Sequence, residues 1–176
     1  MFYSTKRFKG YSTCFRQYAA THSHCRFLHG YSLEFKVVFV GILDERNWVC
    51  DFGGFKKNGI KSALSYLFDH TTVVAADDPE LEAFKNLNNK KIIQLRVIPS
   101  VGAERFSEYV YFLISHYLLN HENTKERVFV KSVECFENSK NSALYINKNI
   151  EEEIKKNELD FTKKSILERC KSLGLP

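Results

Sequence analysis

The chain has 176 residues, of which 44% are hydrophobic, so a single domain with one core is the expected organisation. A net charge of +5 favours an anionic partner only weakly. The five cysteines are odd in number and form no CxxC pair, which argues against a disulfide scaffold or a cysteine zinc knuckle. The sequence contains neither a signal-peptide apolar region nor a run of roughly 18 apolar residues, so we expect a cytoplasmic protein that does not enter membranes.

The first half of the chain predicts two strands and a helix. Apolar and polar residues alternate in part over residues 13–22, and residues 31–42 are rich in Val, Phe and Leu, so each segment is predicted to be a strand. Between them lies HSHCRFLHG, the densest cluster of chemically active side chains. After Gly53 and Gly54, apolar residues recur at helical intervals over residues 55–68, which predicts a helix.

The second half predicts two more helices and three more strands. Residues 77–89 are predicted to form a short inserted helix, residues 91–98 a strand, and residues 103–119 a strongly amphipathic helix. Strands are also predicted at residues 127–137 and 142–147, on either side of a turn-forming NSKN. The order is therefore strand, strand, helix, helix, strand, strand, with an insertion between the two main helices.

The composition changes abruptly after residue 147. Residues 148–176 are rich in Lys and Glu, with sparse apolar residues at helical spacing. We therefore predict a domain at residues 1–147 and a charged C-terminal helical appendage at residues 148–176. A charged run of this kind is usually a solvated helix face, so nucleic-acid binding is not expected.

Three histidines are candidate metal ligands. His22, His24 and His29 lie within eight positions of one another, with Cys25 among them. Residues two apart on a strand face the same side, so His22 and His24 can share a site to which a turn returns His29. Because catalytic zinc takes three protein ligands, this is a candidate zinc site. The alternative is that one or two of the histidines cap strand ends or hydrogen-bond to the turn.

Cys25, Asp69 and His70 are candidate acid–base groups. Cys25 is either a buried small hydrophobe, the commonest fate of a free cysteine, or a thiolate stabilised by imidazoles or a metal and able to abstract a proton. Asp69 and His70 end the first predicted helix, and a carboxylate beside a histidine commonly orients the imidazole for proton transfer. Taken alone, the dipeptide fits a structural role better.

Six separated motifs resemble, in order, those of the 6-carboxytetrahydropterin / 6-pyruvoyl-tetrahydropterin synthase family. They are AATHSHC, LHGY, VCDFGGFK, FDH, an AE that opens a helix, and VECFENSKNSALY, and they extend over most of residues 13–147. The resemblance implies an α+β tunnelling fold with an antiparallel four-stranded sheet, two helices on one face and ββααββ order. It also implies a homo-oligomeric barrel, as a hexamer made of two trimers.

The resemblance assigns roles to the candidate residues. His22 and His29 match the first two zinc histidines, and Cys25 matches the catalytic cysteine. Asp69 and His70 match the pair that completes the proton relay.

Two glutamates match substrate-binding positions of the family. Glu137 corresponds to the carboxylate that anchors the pterin, whose adjacent N–H donors suit a bidentate acceptor. Glu104 corresponds to the glutamate that opens the second helix, where it is either a ligand contact or a first-turn carboxylate favoured by the helix dipole. The family's PTxEN motif is reduced here to VGAE.

The metal motif departs from the family pattern at one position. Tyr31 stands where the third zinc histidine is expected, and His24 has appeared immediately before Cys25. Either His24 replaces the missing ligand, or Tyr31 ligates as a phenolate, or the site is weakened and catalysis is altered. We take His22, His24 and His29 as the predicted zinc ligands.

The resemblance also implies a reaction. Its preferred branch converts 7,8-dihydroneopterin triphosphate to 6-carboxy-5,6,7,8-tetrahydropterin, with release of acetaldehyde and triphosphate, and feeds 7-deazaguanine and queuosine synthesis. The three residues between Cys25 and His29 favour this branch. The alternatives are triphosphate elimination by a 6-pyruvoyl-tetrahydropterin synthase and a non-catalytic pterin- or purine-binding protein.

Overall fold

One long hairpin forms the centre of the sheet. The structure is a computed structural model that describes residues 1–57, 59–156 and 159–175. Its strands are Phe2–Phe15 (β1), His29–Gly41 (β2), Thr71–Ala75 (β3), Leu95–Ile98 (β4), Val128–Phe136 (β5) and Ser142–Ile146 (β6). Its helices are Gly54–Lys57 (α1), Ile60–Phe68 (α2), Leu81–Asn89 (α3), Ala103–Leu119 (α4), Ile150–Lys156 (α5) and Leu159–Ser172 (α6). Within the described ranges, none of these helices has the length and apolar character that a membrane span requires.

Alternation of apolar and polar residues explains the hairpin. From Leu33 to Phe39, every second side chain of β2 is buried against the helices, as a strand with one covered face requires. These fully buried side chains are Leu33, Phe35, Val37 and Phe39. In β1 the register against β2 shifts at Gly10, whose φ of 84° accommodates the bulge. Because of this extra residue, Phe8 and Tyr11 are both buried.

The sheet has six strands, in the order β4-β3-β1-β2-β5-β6. The pairs β1–β2, β2–β5 and β5–β6 are antiparallel, whereas β3 pairs in parallel with both β1 and β4. The predicted α+β class is therefore confirmed, with α2 and α4 packed on the sheet. The predicted strand count and purely antiparallel pairing were wrong, because the short, fully buried β3 carries no alternation that would reveal it.

The first strand also differs from its prediction. The strand expected at residues 13–22 instead begins at Phe2 and ends at Phe15. Beyond it the chain turns, with the backbone N–H of Ala20 donating to Gln17 and that of Ser23 donating to Ala20. His22 therefore lies in a turn and not on a strand.

The helical tail packs on α4. The side chains of Ile166, Cys170, Leu173 and Leu175 are buried in the main core, and Arg169 contacts Glu108 of α4 at 2.6 Å. Of the predicted appendage, residues 157, 158 and 176 lie outside the described residues, as does residue 58 of the helix predicted at 55–68. The division of the chain at residue 147 stays a prediction.

A buried ion pair holds the insertion between α2 and α4 to the end of β1. Arg16, directly after β1, donates from Nε to Asp78 at 2.9 Å, and its Nη2 lies 2.5 Å from the other carboxylate oxygen. The backbone N–H of Glu80 donates to the same carboxylate at 2.9 Å. Hydrogen bonds from Arg16 are the main cause that lowers the pKa of Asp78, whose side chain is completely buried.

Arg16→Ala is expected to lower the free energy of unfolding by about 3 kcal/mol, because it leaves the buried carboxylate of Asp78 without its cation. Urea denaturation at neutral pH measures the change. The matched control is Lys85→Ala, which removes an exposed ion pair with Glu82 on α3 and should cost about 0.5 kcal/mol or less. Equal losses in the two variants would contradict the structural importance of the buried pair.

Candidate functional site

The loop between β1 and β2, residues 16–28, positions Cys25. The backbone N–H of Gln17 donates to the carbonyl of Cys25 at 2.8 Å, which closes the loop. Ser23 caps the short 3-10 turn at His24–Arg26 by accepting from the backbone N–H of Cys25 at 3.2 Å. As a result Cys25 is half-buried, whereas His22 and His24 are exposed.

His29 opens β2 with its ring held in one orientation. Its Nδ1 lies 2.7 Å from the carbonyl oxygen of Phe27. Because a carbonyl oxygen can only accept, Nδ1 carries a proton, and in the neutral imidazole Nε2 has a lone pair. The imidazole also packs against Phe15, at 4.8 Å between ring centroids, and against the edge of Tyr31, at 5.4 Å.

Two carboxylates interact at the same end of the sheet. Glu137 follows β5, and Glu104 lies in the first turn of α4. Burial raises the pKa of Glu137, the charge of Glu104 raises it further, and His29 lowers it. Burial also raises the pKa of Tyr31, as do the neighbouring Glu137 and Cys25. The structure thus brings together five groups, called here the Glu137 cluster: Cys25, His29, Tyr31, Glu104 and Glu137.

Gln17 and Gly102 border this cluster, and the sequence had not singled them out. A Cβ atom on Gly102 would lie 2.7 Å from Nε2 of Gln17 and 3.6 Å from Oε2 of Glu104. Gly102 also has a φ of +114°, which L side chains rarely adopt. Glycine is therefore required at position 102, and the side-chain amide of Gln17 packs against this turn beside Glu104. The sequence signal that could have identified Gly102 is its position directly before the predicted helix at residues 103–119.

Asp69 and His70 lie apart from the Glu137 cluster. Oδ1 of Asp69 is 2.9 Å from Nδ1 of His70 and accepts from the backbone N–H of Ser12 at 3.4 Å. His70 borders a groove of about 590 Å³ together with Cys14, whose side chain points to the opposite face of β1 from Phe15. Ser12 is also about 10 Å along the strand from Phe15. Within one chain, the predicted relay of Cys25, Asp69 and His70 is not assembled.

The predicted zinc ligands are likewise not brought together. His29 faces the Glu137 cluster, whereas His22 and His24 are exposed on the turn. Among the residues that the structure describes, no three His, Cys, Asp or Glu side chains are arranged to hold a metal ion. The predicted donor set therefore does not fit a three-imidazole zinc site, and no chemical step is derived through zinc.

The mixed sheet, with α2 and α4 packed on one face, defines a tunnelling fold of the α+β class. The sequence profile of the family described as 6-pyruvoyl tetrahydropterin synthase matches residues 4–148. The chain belongs to this family, which confirms the resemblance seen in its motifs.

Solved structures from several organisms share the fold. An uncharacterized protein from Wolinella succinogenes is 18% identical with a TM-score of 0.67, over 84% of this chain and 98% of that one. The 6-pyruvoyl tetrahydropterin synthase of Plasmodium vivax is 15% identical with a TM-score of 0.59, over 84% and 99%. The Caenorhabditis elegans enzyme of the same name is 20% identical with a TM-score of 0.51, over 84% and 98%. No match was found among curated proteins.

Replacing Glu104 with glutamine should lower the pKa of Glu137, because a neighbouring like charge is removed. In the folded wild type this pKa lies above its ordinary value of 4.5, so the stabilisation by protonated Glu137 is present below about pH 4.5 and is lost as the pH rises through the folded-state pKa. An NMR titration of the Glu137 carboxyl carbon measures the change. Glu104→Asp, which keeps the charge, is the control. An unchanged pKa in Glu104→Gln would show that the two carboxylates do not interact.

Proposed function

We propose that the Glu137 cluster binds the 2-amino-4-oxo edge of a pterin. The observation that carries this proposal is the pair of interacting carboxylates, of which Glu137 is half-buried. In the described part of the chain, no lysine, arginine or histidine forms an ion pair with Glu137 or Glu104. Partial burial of an uncompensated carboxylate is costly unless it accepts hydrogen bonds. A ligand that brings adjacent N–H donors supplies them.

The shape of the donor edge explains the preference for a pterin. Its ring N–H and exocyclic amino group donate in parallel, which matches the two oxygens of one carboxylate. Glu137 is the bidentate acceptor in this proposal. Glu104 raises the pKa of Glu137 and is the second acceptor for the amino group in this proposal. Membership of the family supports the same class of ligand.

The reaction that we propose is the one favoured by the motifs. The chain converts 7,8-dihydroneopterin triphosphate and water to 6-carboxy-5,6,7,8-tetrahydropterin, acetaldehyde and triphosphate, on the route to 7-deazaguanines and queuosine. Cys25, half-buried near Tyr31, is the group that takes a proton from the side chain of the ligand in this proposal. The product therefore places the chain among the carbon–carbon and carbon–oxygen lyases.

There are two alternative functions. The Plasmodium vivax and Caenorhabditis elegans structures carry the name of the 6-pyruvoyl branch, which eliminates triphosphate. A non-catalytic pterin- or purine-binding role is favoured by a structural observation, since His70 borders a groove with Cys14, and no hydrogen bond or ion pair joins it to Cys25 in the described part of the chain. Turnover of dihydroneopterin triphosphate separates an enzyme from a binding protein.

We further propose that assembly completes the catalytic groups. In the described structure, only Thr13, Cys14 and Phe15 of β1 pair with β3, so the rest of that edge of β1 is free. The outer edge of β6, at one end of the described sheet, is also free. Free strand edges favour pairing with another copy. A hexamer of two trimers, as the family resemblance implies, can place His70 of one chain beside Cys25 of its neighbour.

Cys25→Ala should abolish turnover of dihydroneopterin triphosphate and leave neopterin affinity nearly unchanged, because the thiol acts on the barrier and not on binding. Glu137→Ala should instead weaken neopterin binding, since the loss of a charge-assisted acceptor costs about 1.5 to 3 kcal/mol, or roughly 10- to 150-fold in Kd. Calorimetry and product analysis measure the two effects.

The matched control for these variants is Glu134→Ala. Glu134 lies on the same strand end but pairs with Lys36 at 3.7 Å and accepts from Ser142 at 2.8 Å, so its removal should leave neopterin affinity unchanged. Near-normal turnover in Cys25→Ala would make Cys25 a packing residue. If the wild type binds neopterin without turnover, the binding-protein function is supported instead.

Mixed oligomers test the proposed sharing of catalytic groups. Cys25→Ala chains and His70→Ala chains, each inactive alone, should regain activity when they are unfolded and refolded together. If each site takes Cys25 from one chain and His70 from a neighbouring chain, random mixing of equal amounts leaves both groups intact in about one quarter of the sites. A mixture that stays inactive, or a wild type that sediments as a monomer, would contradict the shared site.

A further inference from the structure

Three aromatic rings meet where β1 and β2 begin their pairing. Phe15 lies opposite His29 in the register, and Tyr31 lies two residues along β2 on the same face. The ring centroids are 4.8 Å apart for Phe15 and His29, 5.4 Å for His29 and Tyr31, and 6.0 Å for Phe15 and Tyr31. We call these three side chains the ring cluster.

This spacing is usual for packed aromatic rings, and it also suits a three-histidine zinc site. Zinc–nitrogen bonds of 2.0–2.1 Å in tetrahedral geometry place the centres of three coordinating imidazoles about 5 Å apart. In the ring cluster only His29 is an imidazole. The phenyl ring of Phe15 has no lone pair to donate, and Tyr31 presents a phenol, which is a rare zinc ligand.

Phe15 is fixed in this position by packing. It is fully buried and makes an edge-to-face contact with Phe106 of α4 at 5.0 Å. A fully packed core ring does not move aside at low cost, because protein interiors are close-packed. His22 and His24, the other imidazoles nearby in the sequence, are exposed on the turn that follows.

We propose that Phe15 occupies a metal-ligand position in this chain, and that the Glu137 cluster takes its ligand without a resident zinc ion. The identity of that ligand as a pterin rests on the proposed function. In its neutral form His29 then has an Nε2 lone pair that can accept a hydrogen bond from the ligand. Tyr31 is half-buried and so can also contact it.

Restoring the missing imidazoles tests the assignment of position. The double variant Phe15→His/Tyr31→His should hold one zinc ion per chain after incubation with zinc and dialysis, whereas the wild type should hold far less. Elemental analysis by mass spectrometry measures the content, and circular dichroism checks the fold. The same double variant with His29→Ala added is the control and should lose the ion. If the double variant misfolds, the single variant Phe15→His provides a second test. It places an imidazole beside His29 at the same spacing, and its zinc affinity should be higher than that of the wild type.

Chelation tests the other half of the proposal on the unaltered protein. Neopterin affinity of the wild type should be the same before and after EDTA treatment. One zinc ion per wild-type chain that EDTA removes together with neopterin binding would overturn the proposal, and so would folded Phe15→His variants that gain no zinc affinity. If neopterin does not bind at all, the proposed function fails, while the zinc measurements still decide whether Phe15 holds the ligand position.

Discussion

The antiparallel register of β1 and β2 is the constraint on which the rest of the site depends. It places Phe15 directly opposite His29 and brings Tyr31 to the same face. Because the chain must then return from Phe15 to His29 within a short loop, it turns back on itself, and the hydrogen bond from Gln17 to Cys25 closes that loop. The position of Cys25 is thus a consequence of strand pairing.

A second consequence is the concentration of negative charge at this end of the sheet. Glu104 lies in the first turn of α4, where the helix dipole favours a carboxylate. Glu137 is brought near it by the end of β5, and the charge of Glu104 raises the pKa of Glu137. Stability alone does not explain two such groups side by side. A ligand that donates hydrogen bonds to both carboxylates offsets their electrostatic repulsion.

Sequence periodicity predicted the regular parts of this protein well. The helix predicted at 103–119 is found as Ala103–Leu119, because a long amphipathic pattern specifies both the element and its buried face. The boundary of β1 could not be predicted in the same way, since the alternation continues past Phe15 into a turn that only the loop hydrogen bonds define. Fully buried β3 has no alternation at all.

The candidate site residues were proposed for a different reason, and their functional roles stay predictions. Cys25, Glu104 and Glu137 were found through ordered motifs, and the structure places them in one cluster. His22 was matched as a zinc ligand by its sequence motif. A motif match does not show which residue of β1 lies opposite His29 in the folded sheet. Only the register shows that the facing residue is Phe15.

The C-terminal tail bears on the same electrostatic balance. Glu108 lies four residues after Glu104 on α4, a spacing at which like charges repel across one helical turn. Although burial raises the pKa of Glu108, hydrogen bonds from Arg169 of the tail and from Arg105 lower it more. Both arginines contact its carboxylate, at 2.6 and 2.7 Å. By neutralising Glu108, Arg169 limits the negative charge beside Glu104, so packing of α6 against α4 stabilises the helix that carries a carboxylate of the proposed pterin site.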